Sequence, residues 1–267
     1  MTEVFTCEIV CIGNELLTGR TVNSNAQWLG KSIYQLGGIV KRITVAPDIV
    51  SEIKQVVKEV LARRPDWIII TGGLGPTYDD VTLAAVAEAT GRKLSFSEEA
   101  MKMIITSVNR RGVSVAGKDV DAARRKMATI PEDSEPLPNE VGTAPGVLLS
   151  VDKTHIVCLP GVPVEMQSIF ESSVMPKISA KLPAKTTDIE VIGVPEAVMA
   201  PFLAELASSH PELYIKSHPQ SHVGQSKVII QVTGRGESGV RNVESVSALI
   251  TSKMKEMHGI CKVKEAN

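Results

Sequence analysis

The sequence predicts a three-layer α/β domain, with a mostly parallel sheet and helices on both faces, followed by a small α+β domain. Short β-branched segments alternate with longer helical patterns, which is typical of parallel strands joined by crossover helices. Residues 67–71, Trp-Ile-Ile-Ile-Thr, are apolar on both faces, as in a strand covered on each side. A change in composition at 181–185 predicts a boundary, so we expect domains over 1–180 and 181–267.

Periodicity and capping residues place the elements of the first domain. Asp48 is the predicted N-cap of the helix that runs to residue 63. Gly91 is predicted to end the helix 81–90, and Ser97, followed by two glutamates, to start the next helix. The predicted strands are 7–12, 39–45, 67–71, 146–151 and 155–159, the last two forming a hairpin. The predicted helices are 23–37, 48–63, 81–90, one from 97, 119–127 and one from about 164.

The second domain is predicted as strands mixed with two longer helices. Its predicted elements are strand 188–194, helix 196–208, strands 214–217 and 228–233, and helix 238–257. His218 and His222 fall in a segment that we interpret as a solvated loop.

Composition excludes several classes of protein. The 267 residues are 43% apolar and 22% charged, as in ordinary globular proteins, and a net charge of -1 gives no general attraction to nucleic acid. No apolar segment is long enough to span a bilayer and no signal peptide is evident, so we expect a cytoplasmic protein without a membrane partner. Cys7, Cys11 and Cys158 lie in strand-like segments, which favours core packing over metal binding.

The most informative segment is the turn at 71–80, Thr-Gly-Gly-Leu-Gly-Pro-Thr-Tyr-Asp-Asp. It joins the carboxyl end of a buried strand to a helix, where open α/β sheets bind ligands. Glycines let the backbone approach a phosphate, and the helix start directs N–H groups at it. The residues expected to bind the phosphate here are Thr71, Gly72, Gly73, Gly75 and Thr77.

The acidic pair Asp79 and Asp80 allows two interpretations, because carboxylates repel a neighbouring phosphate. Either they hold a divalent metal that bridges to phosphate oxygens, or they bind a sugar or pterin ring while the glycines hold the phosphate. A third interpretation is structural: Asp80 caps the following helix.

Two further groups of residues are expected at the same edge of the sheet. Glu15, Asn23 and Asn25 follow the first strand and can converge on Asp79, although each asparagine has near-equal odds of being a helix N-cap. Later segments of the chain contribute a lysine side chain and two tight backbone turns. The candidate residues there are Lys126, Asn139, Gly142, Thr143, Pro160 and Gly161.

Taken together, these motifs resemble the amino-terminal part of the CinA family, which is a MoaB/MogA-type molybdopterin-binding domain. The resemblance covers about the first 175 residues, and the segment from Lys185 is loosely similar to the small, KH-like linking domain of CinA proteins. Asn23 stands where this family often has Asp. The motifs that carry the resemblance lie at 13–17, 23–25, 72–80, 139–146 and 159–166.

The resemblance implies a metal-dependent pyrophosphatase that cleaves ADP-ribose-like dinucleotides. Relatives in molybdenum-cofactor assembly instead bind molybdopterin and adenylylate it, and resemblance of fold cannot choose between these activities. The amidase activity of longer CinA proteins is not implied. RNA binding is not expected either, because 236–239, which invites comparison with a KH-type loop, is acidic.

In the hydrolase interpretation, Asp79, Asp80 and Lys126 are the catalytic residues, and Glu15 joins the two aspartates as a ligand of Mg²⁺, Mn²⁺ or Co²⁺. The backbone at 72–75 holds the pyrophosphate, and Lys126 offsets the developing negative charge. In the alternative interpretation the ligand is molybdopterin. Both predict a small-molecule nucleotide or pterin ligand, and we expect a homo-oligomer.

Overall fold

The computed structural model describes residues 4–112, 117–178, 184–220 and 225–265. The chain divides into two compact units, which are described separately. The first runs from Phe5 to residue 178 apart from 35–37, and the second contains the described residues from 184 onward with residues 4 and 35–37.

A six-stranded sheet in the order β2-β1-β3-β8-β7-β6 forms the centre of the first unit. β1, β2, β3 and β8 are parallel, and β7 and β6 add an antiparallel edge. The strands of this unit are β1 (Thr6–Ile12), β2 (Ile39–Ala46), β3 (Trp67–Thr71), β4 (Leu94–Phe96), β5 (Thr129–Pro131), β6 (Glu135–Leu137), β7 (Gly146–Val151) and β8 (Thr154–Leu159). Its α-helices are α1 (Asn14–Leu17), α2 (Ser24–Gln35), α3 (Val50–Ala62), α4 (Thr82–Thr90), α5 (Glu98–Arg110), α6 (Lys118–Met127) and α7 (Pro163–Ile169), and α7 continues as a π-helical turn, Phe170–Val174.

Strand β3 lies between β1 and β8, and all five of its residues are buried. Ile68 and Ile70 pack in one cluster with Ile53 of α3 and Val86 of α4. Ile69, which points to the opposite face, is equally buried. The predicted three-layer fold with a mostly parallel sheet is confirmed, because only a sheet covered on both faces buries every residue of its central strand.

Three features of the first unit differ from prediction. The helix expected from Asp48 begins at Val50 with no side-chain cap, since the Asp48 carboxylate accepts a hydrogen bond from the N–H of Asn14 instead, at 2.8 Å. The short helix α1 was not predicted. Strands β4, β5 and β6 were also missed: β4 and β5 pair as a separate antiparallel sheet, and β6 pairs with β7 at the edge of the main sheet.

The cysteines of the central sheet are core residues. Cys7, Cys11 and Cys158 are fully buried, as expected from their apolar neighbours. Burial raises the pKa of the Cys158 thiol to about 12, so at neutral pH it stays protonated and unreactive.

The second unit is a four-stranded antiparallel sheet, in the order β10-β11-β9-β12, with two helices. Its elements are β9 (Ala184–Ile192), α8 (Glu196–Ser209), β10 (Leu213–Gln220), β11 (Lys227–Arg235), α9 (Gly236–Glu256) and β12 (Ile260–Glu265). Val232 and Ile250 are among the apolar residues of its core. The small α+β domain is therefore present, although β12 was not predicted.

Two details of the second unit correct the predicted loops. His218 lies within strand β10, opposite Ile229 of β11, and not in a loop. His222 lies outside the described residues. Residues 236–239 form the first turn of α9.

Within the described ranges, no helix has both the length and the apolar character that crossing a bilayer requires.

Candidate functional site

A cleft of about 450 Å³ lies at the carboxyl ends of the parallel strands. The chain segments that follow β1, β2, β3 and β8 all reach it, as the topology of an open α/β sheet predicts. Residues contributed from these segments and from the 139–146 loop line it; the polar and glycine members are Gly13, Glu15, Asp48, Gly72, Gly73, Gly75, Thr77, Asp79, Asp80, Thr143, Gly161 and Glu165. Pro160 lines it as well.

Hydrogen bonds to backbone carbonyls hold the glycine-rich turn against its neighbours. Gly72 donates to the carbonyl of Leu159 at 3.0 Å, and the Thr82 hydroxyl donates to the carbonyl of Gly72 at 2.8 Å. Gly72 and Gly73 have φ of +99° and +68°, a region that favours glycine. A Cβ on Gly72 would also overlap the carbonyl oxygen of Ile12. Both glycines are therefore required by the geometry of the turn.

The same turn presents backbone N–H groups that the protein does not use. In the described part of the chain, no group accepts a hydrogen bond from the N–H of Gly73, Leu74 or Gly75. All three residues line the cleft. Successive unused N–H groups in a turn form a ready site for an anionic oxygen.

The two aspartates of the turn converge on one hydroxyl group. Thr77 Oγ1 lies 2.6 Å from Asp80 Oδ2 and also contacts Asp79 Oδ1, while the N–H of Thr77 donates to Asp80 at 2.8 Å. A hydroxyl has a single proton to donate, so it can satisfy only one of the two carboxylates at a time. The structural alternative, in which Asp80 caps α4, is wrong: the cap position is Val81, with no side-chain hydrogen bond.

Hydrogen bonding makes Asp79 a stronger acid than an ordinary aspartate. The Thr77 hydroxyl, then the backbone N–H of Asp79 itself and the charge of Lys126, hold the pKa of this carboxyl below its usual value. Since Asp79 is exposed to solvent, it is charged at neutral pH and accessible to a cation.

Glu15 lines the same cleft but does not join the aspartates in a three-ligand group. Among the residues that the structure describes, no three His, Cys, Asp or Glu side chains are grouped closely enough to hold a metal ion. The Glu15 carboxylate instead lies against Gly13, about where a Cβ would project. A pair of carboxylates beside a hydroxyl still fits Mg²⁺ or Mn²⁺, which prefer oxygen ligands and complete their coordination with substrate phosphates and water.

Lys126 lies on the other side of the turn. It lines a smaller cavity of about 250 Å³ that shares Gly73, Leu74, Gly75 and Asp80 with the cleft. Its Nζ donates a hydrogen bond to the carbonyl of Thr77. Lys126 therefore supports the turn from behind, rather than lining the cleft itself as the sequence suggested.

A small side pocket adjoins the cleft and contains Asn23, Asn25 and Thr71. Asn23 Oδ1 accepts a hydrogen bond from the N–H of Ala26 at 3.1 Å, which is the N-cap geometry for α2. Asn25 Nδ2 donates to the carbonyl of Gly161 at 2.8 Å. The two asparagines thus have different roles: Asn23 caps the helix, and Asn25 connects α2 to the chain after β8.

The loop at 139–146 is braced by Asn139, and this corrects the role expected for it. Asn139 Oδ1 accepts from Val141 and Gly142, and its Nδ2 donates to the carbonyl of Ala144 and to Glu165. Asn139 and Gly142 are not among the residues that line the cleft, and their polar groups bond to the loop itself, to Glu165 and to Ser107. Thr143 does line it, and its hydroxyl accepts from Arg111 at 2.9 Å.

Asp48 and Glu165 line the cleft but were not among the candidate residues. Glu165 lies in the first turn of α7, and Asn139 Nδ2 holds its Oε2 at 2.7 Å. Gly142 leaves space for this carboxylate where a Cβ would collide with it. The rule that identified Glu15 would have found both, because Asp48 follows β2 and Glu165 follows β8 at the same edge of the sheet.

Comparison with known proteins places this architecture in a family. Residues 8–180 match the family described as a probable molybdopterin-binding domain. A protein of Aeropyrum pernix is 42% identical over 234 residues, covering 86% of this chain and 85% of that one. A protein of Metallosphaera sedula is 37% identical over 262 residues, covering 96% and 97%.

A solved structure extends the comparison. The crystal structure of the protein CinA with unknown function from Thermoplasma acidophilum is similar, at 35% sequence identity and a TM-score of 0.58. The match covers 66% of this chain and 98% of that one. The chain therefore belongs to the family of probable molybdopterin-binding domains, and within it this protein is CinA-like.

Proposed function

We propose that the cleft binds the phosphates of a nucleotide or pterin ligand and hydrolyses the pyrophosphate of an ADP-ribose-like dinucleotide with the help of a divalent cation. One observation carries the proposal: a single turn presents the unused N–H groups of Gly73, Leu74 and Gly75 beside the carboxylates of Asp79 and Asp80. The N–H groups suit an anion, whereas the carboxylates repel one unless a cation lies between them.

In this proposal the backbone and the aspartates divide the work. The N–H groups of residues 73–75 orient the pyrophosphate, and Asp79 and Asp80 hold the cation together with phosphate oxygens. A divalent metal bound there supplies Lewis-acid polarisation of the phosphoryl group. Lys126 keeps the turn in place through the carbonyl of Thr77 and favours the charged form of Asp79.

Glu165 is the residue best arranged to accept a proton. Its carboxylate lines the cleft, and Asn139 fixes its orientation. A water molecule attacks one phosphorus atom of the pyrophosphate. The bond between that phosphorus atom and the bridging oxygen breaks, the oxygen stays on the other phosphate, and AMP and ribose 5-phosphate leave. The proton lost by the water passes to Glu165, as in general base catalysis.

The test is direct. Purified protein with ADP-ribose and Mg²⁺, Mn²⁺ or Co²⁺ should release AMP and ribose 5-phosphate, measured by chromatography. Asp79→Ala should lose this turnover, whereas Asp119→Ala, which removes an exposed aspartate at the start of α6, should keep it. If the wild-type protein releases no AMP with Mg²⁺, with Mn²⁺ or with Co²⁺, the hydrolase proposal is overturned.

The second candidate function is binding or adenylylation of molybdopterin, and the family match over residues 8–180 favours it. The same N–H groups would then hold the phosphate of the pterin, and the aspartates would lie near its ring or a bound metal. Protein purified from a host that makes molybdopterin should then carry a fluorescent pterin, released on denaturation. A pterin found without AMP release from ADP-ribose would favour this candidate over hydrolysis.

A further inference from the structure

The side pocket next to the cleft has a volume of about 80 Å³ and shares Ile12, Glu15 and Gly161 with it. The side pocket therefore borders the cleft directly. Its small size, against about 450 Å³ for the cleft, suits one or two hydroxyl groups and not a ring system or a phosphate chain.

Asn25 gives this pocket an unsatisfied acceptor. The residue is 9% exposed, and among the described residues its Oδ1 has no hydrogen-bond partner although the atom is buried. The amide cannot turn over, because Nδ2 donates to the carbonyl of Gly161 and the reverse orientation would bring two oxygens together. A buried acceptor without a donor is costly, so a donor from outside the protein, such as a ligand hydroxyl or a water molecule, would stabilise this site.

Thr71 adds a second polar group to the same pocket. The residue is 2% exposed, and no protein group in the described ranges pairs with its hydroxyl. The one charged side chain that lines the pocket is Glu15, so within the described chain no cation faces it. The pocket therefore disfavours an anionic group and favours a neutral group that both donates and accepts hydrogen bonds.

We propose that this side pocket is a subsite for the hydroxyl groups of a ribose, with Asn25 Oδ1 and Thr71 Oγ1 as their hydrogen-bond partners. A ribose carries neighbouring hydroxyls, each of which can donate to Asn25 and accept from Thr71. The proposal deepens the proposed function, because it rests on a sugar phosphate in the cleft and assigns the sugar's position. It makes Asn25 a residue that determines specificity for ribose.

The experiment uses D-ribose 5-phosphate and 2-deoxy-D-ribose 5-phosphate as probes, with binding measured by calorimetry on the full chain. The wild-type protein should bind the deoxy sugar about 5- to 10-fold more weakly, the loss expected for one neutral hydrogen bond. Asn25→Leu should remove the difference. Thr71→Val, an isosteric change that suits a strand, should reduce it and serves if Asn25→Leu fails to fold. Gln27→Leu, the same kind of change at an exposed residue of α2 that lines neither the side pocket nor the cleft, is the matched control and should keep the difference.

The outcomes separate the two proposals. Discrimination that depends on Asn25 or Thr71, without hydrolysis of ADP-ribose, supports the subsite and overturns the hydrolase. Hydrolysis without discrimination between the two sugars, or discrimination unchanged in both variants, overturns the subsite and leaves the hydrolase standing. Failure of the wild-type protein to bind either sugar phosphate also overturns the subsite.

Discussion

The turn at 71–80 and the loop at 139–146 flank one cleft, and they use their polar groups in opposite ways. The loop spends both ends of the Asn139 amide on its own backbone and on Glu165. The turn leaves the N–H groups of residues 73–75 unpaired and has two carboxylates sharing one Thr77 hydroxyl. Unused polar groups are available to a ligand, whereas satisfied ones stabilise the fold. We therefore expect substitutions in the turn to lower activity and substitutions in the loop to lower stability.

The largest effect should come from the charge of the turn. Asp80→Asn should lower the turnover of ADP-ribose roughly a hundred- to a thousandfold, because the carboxylate pair loses half its charge where the cation is held. The melting temperature should change little, since the residue is only partly buried. Turnover is measured as AMP release. Glu140→Gln, which changes the exposed acid of the loop, is the matched control; an equal loss in both variants would contradict the assignment.

The next largest effect should come from the brace of the loop. Asn139→Ala should lower the free energy of unfolding by about 2 to 4 kcal/mol, because it leaves buried N–H and carbonyl groups without partners. Urea denaturation measures the change. Glu140→Ala, whose pair with Arg110 is exposed, should cost less than about 1 kcal/mol. If Asn139→Ala is no more destabilising than Glu140→Ala, the loop is not held by its asparagine.

A smaller effect on stability should separate two reasons why the turn needs glycine. One is the left-handed backbone conformation, and the other is the lack of space for a Cβ. Gly73 and Gly91 both have φ of +68°, but a Cβ would meet Thr82 Oγ1 at Gly73 and open space at Gly91. Gly91→Ala should cost about 1 to 2 kcal/mol for the left-handed backbone alone. Gly73→Ala should cost about 1 kcal/mol more and weaken ADP-ribose binding. Equal losses in urea denaturation would mean that the turn tolerates the contact with Thr82.

The smallest effect is a shift in pH dependence. The Thr77 hydroxyl lowers the pKa of Asp79, so the charged form that the cation needs persists to lower pH than for an ordinary aspartate. Thr77→Val removes that hydrogen bond, and the pKa should rise toward its usual value. The acid limb of the pH–rate profile should then move to higher pH. Thr143→Val, which removes the loop hydroxyl of the same cleft, should leave the acid limb in place; a shift of equal size there would assign the effect to the cleft as a whole.

Much of the fold follows from local pattern. Strand β3 and the helix α6 were predicted to within one residue. A run of isoleucines predicts the strand, and a segment with acidic residues in its first turn and basic residues in its last turn predicts the helix, without knowledge of the rest of the chain. β4 and β5 have three residues each and pair across a long stretch of sequence, so neither is visible locally. β12 alternates apolar residues with lysines and lies at a sheet edge, which hid it in the same way.

The site was predictable in its residue types but not in its partners. The rule that loops after parallel strands meet at one edge correctly brought Glu15, Gly73 and Asp79 to one cleft. It could not show that Asn139 bonds to its own loop, because the sequence does not reveal whether an asparagine side chain already has hydrogen-bond partners in the protein. Asp48 was assigned to a helix cap for the same reason: its true partner, the N–H of Asn14, lies on a different strand's loop.

The position of β8 has a consequence for how the domain folds. β8 occupies the centre of the sheet beside β3, where Trp67 pairs with His155, yet it is the last strand of its unit in the chain. Contacts between segments so far apart in sequence form slowly, because closing a long loop costs entropy before any contact repays it. During synthesis, Gly72 meets Leu159 only after nearly the whole unit has left the ribosome, so the ligand cleft is among the last parts to form.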